Sequence, residues 1–495
     1  MTDLASVPVN PFIDRLLAGV QLSAANAKMI PMVDATFTQV TEEVGSEDRF
    51  LSAVGAMLFN IEPVEGRFDR GKILDAVRHI DDLVNKQLNE ILHHEQLQHM
   101  ESMWTGLSEL VENVNFKANI CLDLLDVSKD ELFDDFENNS SDIFGSGLFQ
   151  KIYFSEYDQY GGRPFGALLG LYEFTQQPRD LFWLRSMSKV AAASHAPFIG
   201  SVAPQFFGCQ TIEDLEALRD LDGLLSQPRY SRWNLLRDSD EAAYIGLTFP
   251  RYVLRLPWNT ETNPSYGLPF EETAHGDRSK YLWGSSVWLF ARNLVRSFEQ
   301  SGWCQYIRGP LGGGLLRGLP VDSFNIRGES ENRAPIEMAI PDYRELEFAR
   351  NGFIPIIYRK ASSDAAFFSA QSLKRAKRFK DDKDAQNAQL VTNLAYTFSV
   401  TRVAHYLKTI ARDYIGSSAD AGFLEKLLSK WLTQFVTTNV NPDDLTLRKF
   451  PFKAIAVKVI ARPAEVGWYD CQVSVLPHIQ FEGMNIELRI ESRLG

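Results

Sequence analysis

Cysteine is scarce in this chain. The four residues Cys121, Cys209, Cys304 and Cys471 lie far apart among 495 and form no CxxC pair. That spacing excludes a disulfide framework and an ordinary zinc site. No apolar run reaches the length needed to cross a bilayer. Residues 1–10 contain Asp3 and no apolar core, so no secretion signal is expected and the compartment is expected to be the cytoplasm. Internal repeats and low-complexity tracts are missing too.

Catalytic spacing is equally thin. His94-Glu95 followed by His99 approaches HExxH, but the histidines are five apart, about 140° around a helix, where zinc ligation needs them on one face. Gly312-Gly313-Gly314 lacks the following Lys-Ser/Thr of a phosphate loop, and Gly161-Gly162 lacks the GxGxxG pattern after a strand. Both read as tight turns. His195 stands at a predicted helix end with no nucleophile in a recognisable elbow, and His405 has the same status. The basic run of Lys374, Arg375, Lys377, Arg378 and Lys380 is offset by Asp381, Asp382 and Asp384, which suits a solvated loop. No catalytic residue, metal site or cofactor is therefore expected, and the negative result favours an assembly role. The enzyme alternative would rest on Lys189 or His195.

What the chain does have is 45% hydrophobic and 23% charged residues, the balance of a water-soluble globular protein, with length for two to four domains. Its net charge of −13 is uneven: residues 351–495 hold 20 Lys+Arg against 14 Asp+Glu, net +6, which leaves −19 for the rest. General nucleic-acid binding is excluded, while a basic tail facing an acidic partner is allowed.

Periodicity predicts helices from Pro11 and over 50–59, then a long helix over 71–92 with Ile73, Val77, Ile80, Val84 and Ile91 at coiled-coil-like spacing. A further helix carries Met100, Trp104, Leu107 and Val111 on one face. Strands and helices then alternate. Strands are expected at 118–125, 165–174, 198–202, 244–249, 251–257, 337–340 and 353–358. Helices are expected at 179–194, 282–300 and from Asp342, and capping boxes at Ser128/Glu131 and Thr211/Asp214. After a polar loop over 373–388 come helices at 389–414 and 419–436 and three strands. The fold class is α+β, mixed α/β.

The last of these strands, 480–491, alternates strictly. Met484, Ile486, Leu488 and Ile490 point one way, and Asn485, Glu487, Arg489 and Glu491 the other. A regular edge so near the last residue is either covered by an earlier strand or a docking edge for another chain.

Several motifs occur together in order over some four hundred residues. They include Asn89-Glu90-Ile91-Leu92-His93-His94, Pro164-Phe165-Gly166-Ala167-Leu168, Lys189-Val190-Ala191-Ala192-Ala193 and His195-Ala196-Pro197-Phe198-Ile199. Tyr281-Leu282-Trp283-Gly284, Gly318-Leu319-Pro320-Val321, Ala404-His405-Tyr406-Leu407-Lys408 and Gly467-Trp468-Tyr469 continue the series. In these the chain resembles the large subunit of the contractile sheath of the bacterial type VI secretion system, the TssC/VipB family. A phage-tail-like sheath built from one chain type is the structural alternative.

The resemblance implies a structural role without catalysis. It implies pairing with a small sheath subunit (TssB/VipA type) and assembly with further copies into a helical sheath. That sheath would surround an inner tube (Hcp type), stand on a baseplate and be recycled by an unfoldase after contraction. It implies a subtype-specific helical arm at 1–70, a region at 71–150 packing with the small subunit through Ile73, Val77, Ile80, Val84 and Ile91, a central α/β sheath domain at 151–372, and an inner domain at 373–495. In that last domain the strands would interlock with neighbours through Trp468, Tyr469, Val473, Val475, Phe481, Met484, Ile486, Leu488 and Ile490. Asp420, Glu425 and Lys426 would face the tube.

Overall fold

The computed structural model describes residues 70–261, 268–274, 277–326, 329–377, 388–414, 420–437, 439, 442–462, 469–478 and 488–494. The helices expected from Pro11 and over 50–59 lie outside these residues, as do Trp468, Phe481, Met484 and Ile486. The chain divides into two compact units, Met1–Gln98 with Pro257–Tyr281, and His99–Leu256 with Leu282–Gly495. The class is α+β, as expected.

In the first unit, helix α1 (Arg70–Leu92) holds the segment 268–274 by side-chain amides. Asn89 Nδ2 donates to Glu271 O (3.0 Å), while its Oδ1 accepts from Thr273 N (2.8 Å). Asn85 Nδ2 donates to Pro269 O (3.1 Å), and His93 meets Glu272 at 3.3 Å. A polar ladder thus fixes the segment to the helix.

The second unit contains α2 (Glu95–Glu112) from His99 onward and α3 (Lys129–Asn138). Its centre is a six-stranded sheet, ordered β1-β2-β3-β9-β10-β6. Strands β1 (Leu168–Phe174), β2 (Phe198–Val202) and β3 (Ile245–Phe249) run parallel, joined first by α4 (Pro178–Ser194). β4 (Tyr252–Arg255) and β5 (Leu282–Gly284) form a separate antiparallel pair, followed by α5 (Ser286–Ser301). β6 (Leu315–Leu316), the hairpin β7 (Ser323–Ile326) and β8 (Glu329–Asn332), and α6 (Asp342–Arg350) come next. β9 (Ile354–Tyr358) joins β3 in parallel, and β10 (Ala365–Phe367) turns back antiparallel on β9 and β6.

β2 and β3 are buried along their whole length, which a parallel sheet covered on both faces requires. One face packs α4 with Phe206, Phe207, Trp233 and Phe353, the last two stacked at 5.5 Å. The other packs α5 with Ile199, Tyr252, Ile354 and Ile356.

Helix α7 (Leu394–Arg412) is shared between two cores. Leu394, Ala395 and Phe398 belong to the core of the central sheet, and Val403, Leu407 and Ala411 to the core of the C-terminal region. There, α8 (Ala421–Thr433) and α7 lie over a sheet ordered β11-β12-β13, formed by Phe452–Ala461, Tyr469–Pro477 and Leu488–Leu494.

Some expectations fail. Residues 118–125 are not a strand: a 3-10 turn at Phe116–Ala118 leads into coil, with Leu124 and Leu125 exposed. The apolar run has no neighbour to pair with among the described residues. Residues 337–340 are irregular, with Glu337, Met338 and Ile340 buried; just before them Ile336 makes one isolated bridge to Tyr252 of β4, and Glu337 N donates to Arg251 O (2.9 Å). The helix expected at 282–300 starts late, because Ser285 caps it by accepting from Val287 N, and Leu282–Gly284 before it is strand. The final strand is described over Leu488–Leu494, and residues 480–487 of the expected strand lie outside the described residues. Of the four residues placed on one face of α2, Met100, Trp104 and Val111 are exposed and Leu107 packs half-buried on the core, beside the buried Gly106 and Leu110.

Candidate assembly surfaces

The C-terminal sheet is built on β12, which pairs with both neighbours. Val473 and Val475 are fully buried, and their partners are Val457 and Ile455 on one side and Ile490 and Leu488 on the other. Tyr469 pairs with Leu494 and is half-buried. Leu488 and Ile490, expected as interface positions, are thus in ladder with two fully buried residues of β12.

Helix α8 buries Leu424, Leu428 and Leu432 against this sheet. Asp420 is its N-cap, accepting from Phe423 N at 2.7 Å. Lys426 is exposed. Glu425 is half-buried, and its Oε2 accepts from the β11 amide of Val459 at 3.1 Å. The three residues expected to face a tube therefore sit within two turns, but Glu425 has a second occupation.

On α1 the expected stripe is exposed. Ile80, Val84 and Ile91 are 48%, 39% and 46% accessible, Leu83 is 51%, and Val77 is half-buried. The side chain of Ile73 lies outside the described set. β-branched residues at a and d spacing leave a seam that a second helix would fill.

The chemistry-bearing residues do not converge. Among the described residues no group of His, Cys, Asp and Glu could hold a metal, and His94 and His99 are exposed. A Cβ on Gly313 (φ 95°) would lie 2.0 Å from Tyr306 O, and one on Gly314 2.3 Å from Phe367 O. The triple glycine therefore lets backbone pass backbone and cradles no phosphate. Lys189 is exposed with no reactive neighbour described.

His195 is the left-handed C-cap of α4 (φ 52°), and its Nδ1 lies 3.2 Å from Tyr244 Oη. Burial, then nearby His405 and Lys408, depress its pKa to about 3. His405 is held at about 4, chiefly by burial. Around them Lys408 pairs with Asp158 at 2.6 Å and lies 4.2 Å from the Tyr157 ring, while Arg412 donates to Tyr157 O and Gln159 O. This cluster ties α7 to α4 and to the π-helix Gln150–Tyr157. Sequence reading missed it because the α7 residues and the groups they meet at Asp158 and Ser194 are more than two hundred residues apart; only the repeated basic residues at one face of α7 hinted at it.

Comparison with known proteins agrees with this reading. Residues 75–374 match the family model VipB, the EvpB/VC_A0108 tail sheath N-terminal domain, and residues 383–494 match its tail sheath gpW/gp25-like domain. The type VI secretion system sheath protein TssC1 of Pseudomonas aeruginosa is 37% identical over 431 residues, covering 85% of this chain and 86% of that protein. A chain in the cryo-EM structure of the anti-feeding prophage baseplate aligns over 64% of this chain and 63% of its own at 8% identity, with a TM-score of 0.31, too low to carry an argument. With both family domains and a relative spanning most of its length, the chain belongs to the VipB family of tail sheath proteins, as a large structural subunit of the type VI secretion contractile sheath.

Proposed function

We propose that this subunit pairs with a small sheath subunit of the TssB/VipA type through the α1 seam of Ile73, Val77, Ile80, Val84 and Ile91. The carrying observation is the exposure of Ile80, Val84 and Ile91 along a 23-residue helix. Apolar residues at heptad spacing contribute stability only when a partner helix removes them from water.

Copies of the pair then assemble into a helical sheath in the cytoplasm, on a baseplate and around an Hcp-type inner tube. Residues 1–70 form an arm, 71–150 the small-subunit region, 151–372 the central sheath domain and 373–495 the inner domain. The start of α8, with Asp420, Glu425 and Lys426, faces the tube. Polar residues suit a contact that contraction must release. Strand residues from Trp468 to Ile490, among them Phe481, Met484 and Ile486, link neighbouring subunits. No ligand, cofactor or catalytic step is involved, and a recycling unfoldase acts on the contracted form. No described helix is long and apolar enough to cross a membrane.

Electron microscopy after co-expression with the product of a short neighbouring reading frame tests this. Hollow tubules that require the second chain, and that vanish when the chain is cut before Trp468, are the expected result. Tubules formed without the second chain would instead favour a single-component sheath. Monomers with the partner present would sink the pairing.

A further inference from the structure

The two outer strands of the C-terminal sheet meet their surroundings differently, and β11 is the informative one. Its Val459 N–H donates to Glu425 Oε2 at 3.1 Å, away from β12. Antiparallel ladders alternate between bonded and non-bonded pairs, so the Val459–Cys471 pair is non-bonded. Ile455 and Val457 are in phase with Val459 and turn their N–H and C=O groups outward as well. The start of the same edge is already used: Phe452 N donates to Phe435 O (3.2 Å), and Thr437 N donates to Phe452 O (3.1 Å). Among the described residues, what remains between is a two-residue window.

An open strand edge recruits other strands, and proteins blunt such edges with charge. A carboxylate suits the task because it only accepts: it satisfies the outward N–H and repels the carbonyl that an incoming strand would bring to the same place. Glu425 is held there by the helix beneath it. Leu424 and Leu428 are buried on either side, and Asp420 caps the first turn. We propose that Glu425 is an edge guard, which keeps β11 from pairing with β11 of a second copy of this chain. Strands that extend the sheet must then add on the β13 side or displace Glu425.

The guard belongs to the sheet alone, so full-length chain without other sheath components is the sample. Glu425→Ala is expected to raise the hydrogen-exchange rate of the Val459 amide at least tenfold and to give larger species in sedimentation velocity. Glu425→Gln keeps an acceptor for that amide but offers donors to an incoming carbonyl. It is expected to retain protection and still self-associate. Unchanged exchange at Val459 in the alanine variant would overturn the proposal. So would faster exchange with wild-type sedimentation. Should the alanine variant fail to fold, a folded glutamine variant that sediments like wild type overturns it alone.

Discussion

His405 donates from Nε2 to the carbonyl of Ser194, 3.0 Å away, and so fastens the middle of α7 to the last turn of α4. Ser194 lies in the segment matched by the tail sheath N-terminal domain, and His405 in that matched by the gpW/gp25-like domain. The bond is made by a neutral imidazole. Burial is the main cause, and Arg402 and Lys408 add to it, while the Ser194 carbonyl works in the other direction.

That neutrality sets a pH dependence. In the unfolded chain both histidines titrate near 6.5; in the fold they do so near 4 and near 3. Their folded values are depressed, so the unfolded state binds protons first. Stability is complete above about pH 6.5 and declines as pH falls through 4, by up to roughly 3 kcal/mol for His405. Urea midpoints measured from pH 7 to pH 4 should fall, and His405→Gln, which keeps an amide donor, should flatten the curve.

The ion pair beside it is asymmetric. The Lys408 side chain is 9% accessible and that of Asp158 37%. Removing the better solvated partner leaves the worse problem, a buried ammonium. Asp158→Asn should therefore cost about 3 kcal/mol and Lys408→Met about 1 kcal/mol. Thermal unfolding of the two variants side by side checks the order.

Gly106 pits propensity against space. Alanine there would gain about 1 kcal/mol as a helix former. Its Cβ, however, would lie 2.2 Å from the indole Nε1 of Trp288 on α5. Trp288 is only 7% accessible, so its ring is hemmed in by the core around it. Overpacking costs about 1–3 kcal/mol, so Gly106→Ala should destabilise on balance, read as a lower melting temperature.

Ile80→Asp and Val84→Asp should leave the melting temperature of the free chain within about a degree or two, since both side chains are exposed. Copurification of the small subunit should fall at least tenfold. Equal recovery with wild type would remove α1 as the pairing surface.

Local signals were legible where one stretch of sequence carries the whole cause. The capping boxes at Ser128/Glu131 and Thr211/Asp214 form as their spacing predicts. The strand at Phe198–Val202 and the helix at Pro178–Ser194 likewise follow from apolar runs and a proline start. Residues 118–125 were misread because an apolar run without alternation does not say whether a neighbour strand exists. Ala365–Phe367 is too short to carry a period, and its pairing with β9 is decided by the chain path. The bond between Glu425 and Val459 spans 34 residues and depends on how α8 crosses β11, which no spacing rule encodes.

The double membership of α7 has a mechanical consequence. Its 19 residues make a rod of about 28 Å, one end embedded in each core. Backbone bonds along a helix resist bending far better than a loop does. A pull applied to the C-terminal strands therefore reaches the central sheet as a lever stroke rather than as slack taken up in a hinge.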